Sequence, residues 1–389
     1  MSHIPYGRQN ISEADIAEVV AVLRSDWLTQ GPTIERFEQA VARYCGAPYA
    51  SATCNATCAL HLAYRALELG PGDVIWTSPI TFVATANAAH YCGAEVDFVD
   101  IDPVSYNISV PALARKLERA AAAGGRLPKI VAPVHLAGEP CDMRAIAELG
   151  RRYGFRIVED ASHAVGSLYE GEHVGSCRYS DIAVFSFHPV KLITTAEGGM
   201  VLARTAELHQ RVQLLRSHGI TRDAGRMESK PDGAWYYEQL DLGYNYRMTD
   251  MQAALGHSQL QRLEGFLARR HELAARYDEA LRGLPVRLPA RSPANRSALH
   301  LYVIHCRSRA QLFQALRKAD IGVNVHYIPV YRQPYYRRLG FRPADFPEAE
   351  AYYAGAMSLP LFPALTDAQQ DYVVSSIRDC LEPKAVKAL

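Results

Sequence analysis

Two stretches, I-V-E-D-A-S-H at residues 157–163 and F-S-F-H-P-V-K at residues 185–191, decide how this chain is read. Residues 156–158 read as a buried parallel strand ending at Glu159 and Asp160, and residues 182–187 as another ending at His188 and Pro189. In open α/β sheets, ligands gather at the carboxyl edge of such strands. Asp160 and Lys191 both fall there.

The same rhythm extends outward. Further strands are expected at residues 49–53, 74–77, 96–99, 130–134 and 200–203, with helical segments at 59–68 and 82–92 and a Pro71-Gly72-Asp73 turn between. That alternation predicts an α/β domain built on a mostly parallel seven-stranded sheet covered on both faces. From Met248 the texture changes to one long amphipathic helix over 249–281, which leads the chain away from the sheet. Strands near 301–306 and 323–326 around a helix at 311–319 predict a smaller C-terminal α+β domain. At the other end, Ser12-Glu13-Ala14-Asp15 resembles a capping box opening a helix at 16–23, so the preceding residues are expected to form a free arm. The resulting division is an arm at 1–11, a large domain at 12–250, and a linking helix with a small domain at 251–389.

Composition narrows the classes of partner. In 389 residues, 42 Lys and Arg balance 41 Asp and Glu, for a net charge of +1. With no block of like charge, neither nucleic acid nor an anionic membrane surface is an expected partner. The N-terminal Met-Ser-His-Ile-Pro-Tyr-Gly-Arg lacks the apolar core of a signal peptide, and no apolar run is long enough to span a bilayer, so the cytoplasm is the expected location. Eight cysteines, at 45, 54, 58, 92, 141, 177, 306 and 380, form no C-x-x-C pair and read as free thiols in a reducing compartment. Cys54 and Cys58 alone, without further ligands nearby, make a poor metal site, and no metal is expected.

The two strand ends suit a pyridoxal-phosphate site. A lysine that forms a Schiff base must sit on a turn beside the ring, and a carboxylate that keeps the pyridine nitrogen protonated must reach it from a neighbouring strand. Lys191 follows Phe185-Ser186-Phe187 and precedes the compact run 194–199, where partial desolvation would lower its pKa. The loop T-C-N-A-T-C-A-L at 53–60 offers small side chains and helix N-terminal amides able to hold a phosphate. Each residue also has a plainer reading. Asn55 or Thr57 can be an ordinary helix cap, Lys191 an exposed loop lysine, Asp160 a cap or ion-pair partner, and His163 a satisfied structural histidine.

Over nearly its whole length the sequence resembles the DegT/DnrJ/EryC1/StrS sugar aminotransferases, pyridoxal-phosphate enzymes of fold type I. The resemblance rests on L-T-Q-G-P at 28–32, the loop at 53–60, P-I-T-F-V-A-T-A-N-A at 79–88, E-D-A-S-H-A-V-G at 159–166, F-S-F-H-P-V-K at 185–191, L-G-Y-N-Y-R-M-T-D-M-Q-A-A-L-G at 242–256 and V-H-Y-I-P-V-Y at 325–331. It implies that Lys191 forms the Schiff base and shuttles protons, while Asp160 holds the pyridinium. It places His163 beside the ring hydroxyl and Phe82 on the opposite ring face. Thr57, the Cys58 backbone amide and Ser186 would bind the phosphate, and Asn245 would complete that site from the neighbouring subunit of a homodimer. Two departures stand out, Asn55-Ala56-Thr57 in place of the family's frequent Ser-Gly-Thr, and Ala196 where glycine is common.

Within the family, the resemblance implies a UDP-linked 4-keto-6-deoxy-N-acetylhexosamine as acceptor and L-glutamate as donor. The product would be UDP-4-amino-4,6-dideoxy-N-acetyl-β-L-altrosamine, on the way to pseudaminic acid. Tyr6, Trp27, Leu28, Thr29, Gln30, Ser186, Asn245, Asn324, Val325, His326 and Tyr327 would then meet the nucleotide sugar. The alternatives are a dTDP- or UDP-linked 3- or 4-keto sugar, and a non-catalytic regulatory protein that keeps the fold.

Overall fold

The computed structural model describes residues 3–381. Its large domain is built on seven strands: β1 (Tyr49–Thr53), β2 (Val74–Thr77), β3 (Glu95–Phe98), β4 (Ile130–Ala132), β5 (Arg156–Asp160), β6 (Ile182–Ser186) and β7 (Gly199–Ala203). They form one sheet in the order β1-β7-β6-β5-β4-β2-β3. The run from β6 to β3 is parallel, and β7 alone is antiparallel to both of its neighbours. Every residue of β6 and β7 is buried, as strands covered on both faces require.

Helix α1 (Ala56–Ala66) follows β1 and packs Leu60, Leu62 and Ala63 into the core. It starts three residues before the expected point because the Asn55 side chain caps it, accepting from Cys58 N. Thr57 therefore lies in the first helical turn. The loop packs so tightly over the start of β7 that a Cβ on Gly199 would come within 2.7 Å of the Asn55 carbonyl. The helix expected at 82–92 is observed at Ala84–Tyr91, which leaves Phe82 on the preceding loop.

Three expectations need correction. The helix expected over 249–281 is two helices, α2 (Asp250–Gln261) and α3 (Leu263–Ala280), broken at Arg262. Arg262 ends one and begins the other, and its guanidinium binds Asp15 at 2.7 Å and the Asn10 side chain. The periodicity of the two halves is continuous, so only this tertiary contact marks the break. Residues 323–326 form no strand. Only Asn324 pairs, in an isolated antiparallel bridge to Ser358, while Asn324 Oδ1 accepts from Val325 N at 2.8 Å and His326 Nδ1 meets Ser358 Oγ at 2.8 Å, so side-chain bonds stop the bridge from extending into a ladder. The small sheet is instead antiparallel, in the order β8 (Val286–Arg287), β9 (Tyr302–Cys306), β10 (Ala356–Leu359).

The N-terminal arm is not free. Ile4 is buried in the core of the small domain with Leu312, Leu316 and Ile321, and its backbone bonds Asp320 O and Gly322 N. The expected capping box is present at Ser12 and Asp15, with the helix beginning at Glu13. No helix among the described residues is long and apolar enough to cross a membrane.

Asp15, fully buried, ties arm, capping box and helix break together. Its carboxylate accepts from Ser12 N, Ser12 Oγ, Ser258 Oγ, Gln259 Nε2 and Arg262 Nη1. Burial raises its pKa, but the bonds from Ser258, Ser12 and Gln259 outweigh burial and hold it below the usual carboxylate range. A depressed folded pKa means this contribution is complete above the ordinary aspartate range and fades as pH falls through the folded value. Asp15→Ala should lower stability at neutral pH by about 1–3 kcal/mol, the cost of leaving the buried Ser258 and Gln259 donors without their acceptor. Urea unfolding checks this, and the deficit should shrink in acid.

Candidate active site

The carboxyl ends of β5 and β6 open into one cavity of about 700 Å³. The sheet domain supplies Thr57, Phe82, Asp160, His163, Ser186 and Lys191, and the small domain closes the other side with His300 and the segment Asn324, Val325, His326, Tyr327. Tyr6 of the arm joins them.

Asp160 is the last residue of β5 and is buried. Oδ2 accepts from Thr85 Oγ1 at 2.6 Å, and Oδ1 from Ser162 Oγ at 2.6 Å and Ser162 N at 3.2 Å. These donors are neutral and use only part of the acceptor capacity of the carboxylate, which lines the cavity. Lys191 sits on the turn after β6, its backbone N–H bonded to His188 O. Burial of the ammonium pulls its pKa down to about 8, against the opposing pull of Asp160. An amine that loses its proton near neutrality is a usable nucleophile.

His163 Nδ1 accepts from Ala137 N at 3.3 Å, which places the ring proton on Nε2, 3.0 Å from the Tyr327 hydroxyl oxygen. Burial and then the positive charge of Lys191 hold His163 well below the usual imidazole range, so it is neutral. With Nε2–H donating to it, the Tyr327 phenol keeps its own hydrogen for a ligand. His326 is lowered to about 4 by burial and then by Lys191. Phe82 stands at the rim, 58% exposed, with its ring centroid 6.1 Å from that of Tyr327. It presents a flat apolar face to the cavity.

At the far end, α1 points its N-terminus into the cavity. The Cys58 amide, expected to contact a phosphate, is occupied by Asn55 Oδ1 at 2.9 Å, and Cys58 does not line the cavity. The amides of Ala56 and Thr57, ahead of it in the first turn, are the ones a helix leaves unpaired. Ser186 ends β6 beside them. Ala196, where glycine is common in the family, adopts φ 65°, the region that favours glycine, and Thr194 Oγ1 holds its N–H at 2.9 Å.

Besides Cys58, five expected residues lie outside this cavity. Trp27 and Leu28 are exposed, Thr29 bridges Thr249, and Gln30 Nε2 donates to Met248 O at 3.0 Å. Asn245 is exposed and paired with Ser217. The sequence reading missed Thr85 and Ser162, which bind Asp160, although both lie inside stretches it had quoted. It also missed His300, buried against His163 at 4.4 Å between ring centroids, with Nδ1 unpartnered. Nothing in the sequence distinguishes this histidine from an ordinary core residue.

These residues fit pyridoxal phosphate. A buried carboxylate bonded only by neutral groups matches a protonated ring nitrogen, a partly deprotonated lysine stands in the same cavity, and a helix N-terminus flanked by Thr57 and Ser186 matches a phosphate.

Comparison with known proteins agrees. The profile of the DegT/DnrJ/EryC1/StrS aminotransferase family matches residues 9–378. SpsC of Bacillus subtilis, a spore coat polysaccharide biosynthesis protein, is 39% identical over 388 residues, covering 97% of both chains. Helicobacter pylori PseC, an aminotransferase involved in the biosynthesis of pseudoaminic acid, superposes with a TM-score of 0.89 at 30% identity, covering 98% of this chain and 100% of that one. Spr1654 of Streptococcus pneumoniae has been solved in PLP and PMP forms. The PLP form has a TM-score of 0.88 and 32% identity, covering 98% of this chain and 99% of that one. Fold, cavity and likeness along the whole chain lead to one conclusion: the chain belongs to the DegT/DnrJ/EryC1/StrS family and is a pyridoxal-phosphate-dependent sugar aminotransferase.

Proposed function

We propose that this enzyme transfers the amino group of L-glutamate to C4 of a UDP-linked 4-keto-6-deoxy-N-acetylhexosamine, giving UDP-4-amino-4,6-dideoxy-N-acetyl-β-L-altrosamine for pseudaminic acid biosynthesis in the cytoplasm. The observation that carries this reading is the likeness to PseC over 98% of the chain. The cavity wall of Tyr6, Asn324, Val325, His326 and Tyr327 supports it, since it offers aromatic faces and polar atoms in reach of one another. The 39% identity to SpsC favours a second reading within the same chemistry, an acceptor from another polysaccharide pathway, UDP- or dTDP-linked and aminated at C3 or C4.

Bound pyridoxal phosphate supplies a carbonyl that takes up an amino group and a ring that accepts electrons from the neighbouring carbon. Lys191 Nζ holds the cofactor and moves protons at the reacting carbon. Asp160 keeps the ring nitrogen protonated, and its bonds from Thr85 and Ser162 fix its orientation. Phe82 would cover one ring face and His163 would lie beside the ring hydroxyl. Thr57 and Ser186 bind the phosphate, together with the Ala56 and Thr57 amides in place of that of Cys58.

Asn245 and the segment Trp27 to Gln30 stand away from their own chain's cavity, which supports a homodimer with shared sites. In that arrangement the partner subunit's Asn245 completes the phosphate site, and Trp27, Leu28, Thr29 and Gln30 serve substrate across the interface.

Three measurements test this reading. Side-by-side assays of amine transfer from glutamate should favour the UDP-linked 4-keto sugar, and a preference for a dTDP-linked 3-keto sugar would select the second reading. The rate at which cofactor-free protein captures pyridoxal phosphate should rise with pH and level off above about 8, whereas an ordinary lysine would keep the rate climbing to about 10. Mixing Lys191→Ala with Asn245→Ala, provided each homodimer is silent, should restore about a quarter of wild-type activity, because half the dimers are mixed and each carries one intact site. No recovery in verified heterodimers would exclude sharing.

A further inference from the structure

Cys54 and Cys58 bracket Asn55, Ala56 and Thr57, all three of which line the cavity where α1 points into it. Their Sγ atoms are 3.5 Å apart. Both thiols are half-buried, whereas Cys45, Cys92, Cys141, Cys177 and Cys306 are buried. The Cys54 N–H is fixed to Tyr246 O at 2.9 Å, while Cys58 belongs to the first turn of α1. We propose that Cys54 and Cys58 form a modification site, a dithiol that hydroperoxides oxidise to a disulfide closed around Asn55, Ala56 and Thr57, weakening the hold on the cofactor. The effect on the cofactor rests on reading this end of the cavity as the phosphate site. Formation of the disulfide does not.

The chemistry follows from the surroundings of the two sulfurs. Cys58 S–H, and then the backbone amides of Cys54 and Asn55, stabilise a Cys54 thiolate against burial and bring its pKa to about 7. Asn55 Nδ2 adds a donor at 3.8 Å. Cys58 is pushed the other way, by its bond to Cys54 and by burial, so it remains a thiol until Cys54 has reacted. The Cys54 thiolate attacks one peroxide oxygen, the O–O bond breaks, and the departing alkoxide or hydroxide takes a proton, leaving a sulfenic acid. Cys58 sulfur then attacks Cys54 sulfur, its proton leaves with the expelled hydroxide as water, and the S–S bond forms. Two thiols and one hydroperoxide give one disulfide, one alcohol (water, when the oxidant is hydrogen peroxide) and one further water. The sulfurs supply both electrons.

A disulfide needs its sulfurs about 2.05 Å apart. With Cys54 held by Tyr246, closing the gap from 3.5 Å draws in Cys58 and the first turn of α1. Ala56 and Thr57 lie between the two cysteines in the chain, so their amides move with that turn and lose their aim. Hydrogen bonds weaken steeply with such misalignment.

The test treats holoenzyme with one equivalent of hydrogen peroxide, maps its peptides, and measures release of pyridoxal phosphate on dilution, before and after dithiothreitol. The expected result is loss of two hydrogens placed by fragmentation on Cys54 and Cys58, cofactor held about tenfold more weakly, the scale of one lost charged hydrogen bond, and recovery on reduction. Cys54→Ser should keep its cofactor and turnover and resist peroxide. Free thiols at both positions, bridges only between chains, or a disulfide that leaves cofactor affinity unchanged would each overturn the proposal. Failure of the cavity reading is seen separately, as untreated Lys191→Ala that binds and uses the cofactor like wild type.

Discussion

The site depends on a buried carboxylate that neutral donors hold in place without neutralising it. Asp160 takes one hydroxyl from Thr85 and one from Ser162, and an amide from Ser162. Three neutral bonds fix both oxygens, yet acceptor capacity remains for whatever enters the cavity. Had an arginine been placed there, the pair would have been satisfied within the protein and the site closed to a cationic ring. The parallel run from β6 to β3 makes the arrangement possible, because neighbouring strands that run the same way deliver their carboxyl ends to one edge. Asp160 and Lys191 meet at that edge. Burial favours the neutral amine, while the carboxylate limits how far its pKa falls.

The small domain shares an apolar core with the sheet, and specific polar and aromatic contacts join it to this edge. Tyr327 reaches His163 at 3.0 Å, and Tyr6 of the arm lies 5.3 Å from the His326 ring. The arm is held in turn by Ile4 in the small core and by Asn10 and Asp15 at the helix break. A residue remote from the chemistry, Arg262, thereby influences where Tyr6 stands. Such support keeps polar groups placed before a ligand arrives, and binding energy from a distant part of a substrate can then act on the reacting carbon.

The sheet was legible because its strands are short apolar runs bounded by turns, and all seven were placed to within two residues at each end. Asp160 and Lys191 were legible for the same reason, since a polar residue just past such a run marks a strand end. What escaped depended on contacts distant in sequence. The break at Arg262 leaves no trace in a periodic helix, and residues 323–326 alternate like a strand but form only one bridge, from Asn324 to Ser358, beside the side-chain bond of His326 to Ser358. The buried Ile4 looked like part of a polar arm because its partners, Leu312, Leu316 and Ile321, come more than 300 residues later. The sequence allows an Asn55 cap, but only the fold shows that it occupies the Cys58 amide.

The most direct test of the account is to reduce the holoenzyme with sodium borohydride, which makes the link between cofactor and lysine permanent, and to map the labelled peptide. A single pyridoxyl phosphate group on Lys191 is the predicted result. Label on Lys116, Lys129 or any other lysine, with Lys191 unmodified, would contradict the assignment of this cavity as the catalytic centre.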